Sequence, residues 1–100
     1  MIRLELEYKA NKMEKICNDS SYARRIYGDD MAVLIRHRLN EIEAAASIDF
    51  MLKFQIGKCH ELQGDRKGEY ALYLVHPFRL IVKKGNIENT CIICKIEDYH

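Results

Sequence analysis

Residues 69–97 read EYALYLVHPFRLIVKKGNIENTCIICKIE, and this stretch decides the fold of the 100-residue chain. It contains three segments rich in the aromatic and β-branched residues that strands favour: Glu69–Val75, Phe78–Lys83 and Cys91–Glu97. Two short turn segments separate them, His76-Pro77 and Lys84-Gly85-Asn86, and proline, glycine and asparagine are typical turn residues. The stretch therefore predicts a three-stranded antiparallel meander.

The N-terminal part of the chain predicts one further strand and two short helices. Residues 2–8 alternate between apolar and charged side chains, which is the period of a half-buried strand. A short helix is expected around Lys12–Cys17. The segment Asn18-Asp19-Ser20-Ser21 then interrupts this helix and supplies a cap for another short helical piece.

The longest predicted helix follows Gly28-Asp29-Asp30, where either aspartate can accept backbone N–H bonds and meet the helix dipole favourably. Its apolar residues recur at steps of three and four and form one stripe: Met31, Leu34, Ile35, Leu39, Ile42 and Ala46. The segment from Ser47 to Gly57 fits either a short helix or a loop with apolar anchors. The sequence thus predicts a single α+β domain over residues 1–100, with an N-terminal strand, two or three helices and a meander that the helices cover on one face.

The composition is that of a globular protein, since 48% of the residues are hydrophobic and 31% are charged. No apolar run approaches the roughly 20 residues that span a bilayer, and the alternating N-terminal segment does not resemble a signal peptide. We therefore expect a cytoplasmic protein whose four cysteines are free thiols.

Cys91 and Cys94 have the CxxC spacing of metal and redox sites, and Cys59-His60 would be needed to complete a zinc shell. On a regular strand, however, residues three apart point to opposite faces. We therefore expect no metal here and interpret these cysteines as small buried side chains.

Positive charge is concentrated in the middle of the chain, although the net charge is only +1. Residues 51–84 contain seven Lys or Arg and three Asp or Glu. In the predicted middle strand Arg79 and Lys83 share one face, with Ile81 between them. If the helices cover the opposite face, these two cations make a place where a phosphate can bind. A solvated lysine-rich surface without a ligand would show the same pattern.

Two further segments carry side chains suited to cutting RNA. Residues 59–68 are polar and contain two glycines, which permit a turn that exposes His60, Arg66 and Lys67. The sequence closes with Asp98-Tyr99-His100. RNA is cut without a metal when its 2′-hydroxyl attacks the neighbouring phosphorus, and this reaction needs a base, an acid and a cation. Exposed polar residues without any catalytic role explain the same segments equally simply.

Three stretches resemble HigB-type toxins, the plasmid maintenance killer proteins of the RelE/ParE superfamily. They are HELQGDRKG at residues 60–68, FRLIV at residues 78–82 and the ending EDYH, in the family's order and spacing. The helical half agrees in layout only. The resemblance implies a RelE-like fold, ribosome-dependent cleavage of messenger RNA in the A site without a cofactor, and neutralisation by a cognate helix-turn-helix antitoxin similar to HigA.

The resemblance also implies catalytic residues. The loop histidine of the family corresponds to His60, and its strand arginine corresponds to Arg79. Its C-terminal active-site residues correspond to Asp98, Tyr99 and His100. On this basis Arg79 would hold the scissile phosphate, His60 or Asp98 would help to deprotonate the 2′-hydroxyl, and Tyr99 or His100 would donate the second proton.

The candidate contacts to RNA and phosphate include one departure from the family pattern. These contacts are Gln63, Arg66, Lys67 and Lys83. Many relatives have a lysine in place of Gln63, so Arg66 or Lys67 would have to supply the missing charge. Tyr70, Tyr73 and Phe78 are candidates for stacking on bases, although a covered sheet would bury at least two of them.

The superfamily also includes ParE toxins, which act on DNA gyrase and lack the ribonuclease residues. A non-catalytic binding protein is therefore the second function that the sequence allows, either a gyrase poison or a degenerate toxin that sequesters its partner. The presence of His60, Arg79 and the ending Asp98-Tyr99-His100 favours the ribonuclease.

Overall fold

A computed structural model describes residues 3–99, which form an α+β fold. Four α-helices lie within these residues: α1 Asn11–Asn18, α2 Ser20–Tyr27, α3 Asp29–Ala44 and α4 Ile48–Lys53. Five strands lie within them as well: β1 Glu5–Tyr8, β2 His60–Glu61, β3 Glu69–Tyr73, β4 Phe78–Lys84 and β5 Thr90–Asp98. Single turns of 3-10 helix span Ile56–Lys58 and Gly64–Arg66.

The strands form one mixed sheet in the order β1-β5-β4-β3-β2. The three strands β3, β4 and β5 are the predicted antiparallel meander. The sheet is larger than this meander, because β1 pairs with β5 in parallel and β2 adds a short antiparallel edge to β3. The sequence predicts a polar loop at His60-Glu61 and not a strand. Two residues are too few to show the alternation by which a strand is recognised.

The helices pack on one face of the sheet, as predicted. Of the predicted stripe of α3, Met31, Ile35, Leu39 and Ile42 are buried and Leu34 is partly buried, while Ala32, which was not predicted, is buried as well. The stripe ends earlier than predicted, because Ala46 is exposed beyond the end of the helix and Ala45 is buried instead. The ambiguous segment after it begins as helix α4, which Ser47 caps. No helix within the described residues has the length and apolar composition needed to cross a membrane.

The helix caps agree with the sequence at α2 and differ at α3. The Asp19 carboxylate accepts a hydrogen bond from the Tyr22 N–H at 3.1 Å, as a capping side chain does. The expected aspartate cap of α3 was wrong, since Gly28 is its N-cap residue and no side chain caps the helix. Asp29 and Asp30 lie in the first turn, where their charges still meet the helix dipole favourably.

Strand β4 is buried on both faces. Leu80 and Val82 belong to the main core between the helices and the sheet. Ile81 belongs to a second, smaller cluster on the opposite face, together with Leu62, Ala71 and Cys94. Truncating a buried leucine or isoleucine to alanine costs about 2–5 kcal/mol, so this double packing holds β4 firmly. The strand is therefore a rigid base for Arg79.

Cys91 and Cys94 lie on different faces of the sheet, as the strand period predicts. Cys91 is in the main core and Cys94 is in the second cluster. Burial raises the pKa of Cys91 to about 12 and that of Cys59 to about 11, so both thiols stay protonated at neutral pH. The four cysteines are buried free thiols. Within residues 3–99 no group of three or more His, Cys, Asp or Glu is placed to hold a metal ion.

Candidate functional site

The sheet face opposite the helices, which we call the open face, carries the candidate site. Tyr73 on β3 pairs with Arg79 on β4, and Arg79 pairs in turn with Glu97 on β5. Because directly paired residues point to the same side of a sheet, these three side chains lie in one row across the open face. The row follows from the register of the meander.

Arg79 stacks on two tyrosine rings. Its guanidinium carbon lies 3.9 Å from the ring centroid of Tyr73 and 4.8 Å from that of Tyr99. Its Nε atom is buried and has no hydrogen-bond partner within residues 3–99. Stacking uses the flat face of a guanidinium, whereas its N–H donors lie in its plane. The contacts therefore orient Arg79 without using the donors that bind a phosphate in a bidentate manner.

Tyr99 reaches Arg79 because the end of β5 is tied to the turn between β3 and β4. The Tyr99 N–H donates a hydrogen bond of 2.9 Å to the carbonyl oxygen of Pro77. The Tyr99 side chain remains 39% exposed, so its phenol is accessible to a ligand. Tyr99 thus lies beside the strand arginine, Arg79.

His60 approaches the same cluster from the edge strand β2. It pairs with Ala71, and its ring centroid lies 6.2 Å from that of Tyr73 in an edge-on arrangement. Its Nδ1 lies 3.0 Å from the carbonyl oxygen of Lys58. Because a carbonyl only accepts, this contact is a hydrogen bond when Nδ1 carries the proton. In the neutral ring this tautomer leaves the lone pair on Nε2, through which the exposed His60 can accept a proton.

Lys58 is a further cation beside Tyr73, and the sequence does not single it out. Its Nζ lies 5.2 Å from the ring centroid of Tyr73. Tyr73 is thus the centre of the group, which we call the Tyr73 cluster: Lys58, His60, Tyr73, Arg79 and Tyr99. Of the three aromatics considered for stacking, Tyr70 is buried and Phe78 packs against the main core, so Tyr73 is the one on the open face.

Arg66 also lies on the open face, but two carboxylates bind it. Its guanidinium donates to Glu69 Oε1 at 2.8 Å and to Glu97 Oε2 at 2.8 Å. These hydrogen bonds hold the pKa values of Glu69 and Glu97 below the usual range and raise the pKa of Arg66. Lys95 Nζ adds a contact of 3.3 Å to Glu97. These four residues form the Arg66 cluster, in which positive and negative charges balance.

The structure does not place Asp98 in the Tyr73 cluster. Asp98 pairs with Phe78, so strand alternation assigns it to the helix-covered face and not to the face of Arg79. His100 lies outside the described residues. Of the four predicted catalytic residues that lie within residues 3–99, the Tyr73 cluster therefore contains His60, Arg79 and Tyr99.

The other predicted phosphate contacts lie around this cluster and not in it. Gln63 is exposed, and its amide donates to the Glu61 carbonyl oxygen at 3.4 Å. Lys67 is exposed beyond the second 3-10 turn. Lys83 is on the open face, four residues from Arg79, which is about 13 Å along a strand. No direct contact within residues 3–99 joins these three side chains to Arg79.

The comparisons with known proteins establish the fold. The sequence matches no protein-family model and no curated protein. In structure the chain is similar to a chain of the YoeB-YefM complex from Staphylococcus aureus, with a TM-score of 0.63 and 22% identity over 98% of both chains. It is also similar to the YoeB/ParE toxin from Agrobacterium tumefaciens, with a TM-score of 0.58 and 13% identity over 97% of this chain and 100% of that chain. The expected RelE-like α+β fold is confirmed.

The arrangement combines a possible base, an oriented guanidinium and a phenol on one open surface. Sequence reasoning named His60, Arg79 and Tyr99 and considered Tyr73 for stacking on bases, but it did not place Tyr73 beside Arg79 and did not name Lys58 as a member of the site. Tyr73 is recognised as a site residue because it lies directly opposite Arg79, and this position is known only once the register of β3 and β4 is known. Such a group can bind a phosphodiester and exchange protons with its neighbouring oxygens.

Proposed function

We propose that this chain is the toxin of a type II toxin-antitoxin system and that it cleaves messenger RNA on the ribosome. The observation that carries the proposal is the convergence of His60, Arg79 and Tyr99 around Tyr73 on the open face. The shared fold with the YoeB and YoeB/ParE structures supports it. So does the resemblance of residues 60–68, 78–82 and 97–100 to HigB-type toxins.

In the proposed reaction Arg79 binds the scissile phosphate. Its donors neutralise the charge that builds up on the phosphate oxygens as the phosphorus becomes five-coordinate. The contacts with Tyr73 and Tyr99 restrict the guanidinium, so that it meets the oxygens already oriented. This role needs no metal ion, because the charge is stabilised by direct hydrogen bonds.

The proton transfers are assigned to His60 and to the tail of the chain. His60 Nε2 takes the proton of the 2′-hydroxyl as the 2′-oxygen forms a bond to phosphorus. The bond from phosphorus to the 5′-oxygen breaks, and Tyr99 or His100 gives that oxygen a proton. The products are a 2′,3′-cyclic phosphate and a 5′-hydroxyl end. The position of Asp98 on the other strand face favours His60 over Asp98 as the base.

The proposed partners follow from the same resemblance. The Staphylococcus aureus neighbour is a complex of YoeB with YefM, which supports a protein partner for this chain too. We propose a HigA-like helix-turn-helix antitoxin as that partner, messenger RNA in the ribosomal A site as the substrate, and the cytoplasm as the location. Within the superfamily the chain is proposed to belong to the HigB branch.

A non-catalytic toxin is the second candidate, and two observations favour it. Gln63 is neutral where many HigB-type toxins have a lysine, and Arg66 is neutralised by Glu69 and Glu97. A chain with this fold and a weakened phosphate site would act by binding alone, either to gyrase or to its own partner.

Expression of the chain in growing cells separates the two functions. Wild type, Arg79→Ala and a matched control, Arg24→Ala, are induced from a tight promoter, and the 5′ ends of translated messages are mapped. Arg24 is an exposed arginine of α2, away from the open face. We expect new 5′-hydroxyl ends within coding regions for wild type and the control, and none for Arg79→Ala. Growth arrest by wild type without new 5′-hydroxyl ends would contradict the ribonuclease function and favour the non-catalytic toxin.

A further inference from the structure

We infer that Lys58 is the second phosphate-binding cation of the proposed RNA site, in place of the lysine that Gln63 does not provide. The inference rests on the proposed function and names a residue that the sequence motifs leave out. Lys58 Nζ is 5.2 Å from the Tyr73 ring centroid, and Arg79 stacks on the same ring. Both cations therefore contact the same ring, and the inference is that one bound phosphate meets both of them.

The charges around Tyr73 leave room for an anion. Within residues 3–99 no ion pair joins Lys58 or Arg79 to a carboxylate, and the buried Nε of Arg79 has no partner there. Two like charges beside one neutral ring repel each other, and a phosphate between them would remove that repulsion. Arg66, the cation expected to compensate for Gln63, is already bound by two carboxylates.

The backbone holds Lys58 at this place in an unusual conformation. Gln55, Gly57 and Lys58 all have left-handed φ values, of 50°, 57° and 56°. A side chain in this region is strained, and such strain persists where the surrounding structure enforces it. The same conformation directs the Lys58 carbonyl to His60 Nδ1, so one residue both orients the proposed base and offers a cation.

Arg38 of α3 packs against the loop that carries Lys58. Its Nε donates a hydrogen bond of 2.7 Å to the backbone carbonyl of Tyr73, and its Nη1 pairs with Glu41 at 2.9 Å. A Cβ atom on Gly57 would lie 2.8 Å from that same Nε, so the loop passes directly over the arginine. Arg38 therefore contacts the Lys58 loop and is hydrogen-bonded to β3, the strand that carries Tyr73.

The test measures single-turnover cleavage of a message on programmed ribosomes. Lys58→Gln is compared with Lys53→Gln, which removes an exposed lysine from the end of α4 by the same change. We expect Lys58→Gln to lower the rate at saturating toxin by roughly tenfold or more, with a smaller change in the half-saturating concentration. Lys53→Gln stays within about twofold of wild type, and Lys58→Arg recovers most of the rate because it restores the charge.

A second variant separates the charge of Lys58 from its conformation. Glycine accepts a left-handed φ without strain, so Lys58→Gly keeps or raises the midpoint of thermal unfolding while it removes the cation. We expect its cleavage rate to fall as far as that of Lys58→Gln. If wild type cleaves and either Lys58→Gly or Lys58→Gln cleaves at the same rate, Lys58 has no role in the site. The proposed function would then still stand. Absence of cleavage by wild type would overturn both.

Discussion

Arg66 and Arg79 lie on the same face of the same sheet, yet their surroundings differ in kind. Two carboxylates bind Arg66 at 2.8 Å each, so its charge is neutralised within the protein. Arg79 instead rests on the rings of Tyr73 and Tyr99, which orient a guanidinium but do not neutralise it. The comparison teaches that the partner of a cation, more than its position on a face, separates a structural arginine from one that is ready to bind an anion.

The largest expected difference between the two arginines is in catalysis. Arg79→Ala should lower cleavage of ribosome-bound message by about a thousandfold, because it removes the donors that stabilise the phosphate charge. Its free energy of unfolding should change by less than about 1 kcal/mol, since no carboxylate is left unpaired. Single-turnover rates and urea unfolding measure the two effects. A large loss of stability with retained cleavage would reverse the roles assigned to the two arginines.

The next effect concerns the proposed base. His60→Gln keeps a polar side chain of similar reach but cannot take the 2′-hydroxyl proton, so cleavage should fall by about a hundredfold. Binding of the toxin to ribosomes, measured by co-sedimentation, should stay near the wild-type value. A rate close to wild type would exclude His60 as the base and direct attention to Asp98.

A smaller effect tests the stacking that distinguishes Arg79 from Arg66. Tyr73→Leu removes the ring that orients the guanidinium, and we expect cleavage to fall by about tenfold. Tyr73→Phe keeps the ring and should stay within about threefold of wild type, which makes it the matched control. Equal losses in both variants would mean that the Tyr73 hydroxyl matters and the stacking does not.

The smallest effect is the stability that Arg66 provides. Arg66→Gln should cost about 1 kcal/mol in the free energy of unfolding near neutral pH, since both partner carboxylates are partly exposed. Glu69 and Glu97 have lowered pKa values in the folded chain. Their contribution is therefore complete above the ordinary glutamate pKa, about 4.3, and is lost as the pH falls through the lowered values. Urea unfolding from pH 6 down to pH 3.5 should show the two proteins converge, and a constant gap would contradict this origin.

The sequence was sufficient for the elements whose periodicity extends over many residues. The meander, the long helix α3 and the first strand follow from alternation or from steps of three and four. The first strand is shorter than predicted within the described residues, because it begins at Glu5. Strand β2 could not be predicted, since its two residues gain their strand character from pairing with Tyr70 and Ala71.

The site shows the same division between local and long-range information. The face of Arg79 follows from a period of two along one strand, which the sequence contains. The neighbours of Arg79 depend on register and on non-glycine residues in left-handed conformations. The residue names Gln55 and Lys58 give no sign of that backbone, because neither belongs to the residue types that usually adopt it. The charge balance of Arg66 is likewise visible only when β5 is placed beside it.

The position of β5 inside the sheet determines when the site can form. Strand β5 ends beside Arg79 and lies between β1 and β4, and its residue Thr90 pairs with Glu5, which is far away in the sequence. During synthesis β1 therefore has no strand to pair with until residues 90–98 have been added. Contacts between residues this distant in sequence also form slowly. The Tyr73 cluster therefore cannot be complete before Tyr99 has been synthesised and β5 has paired with β4.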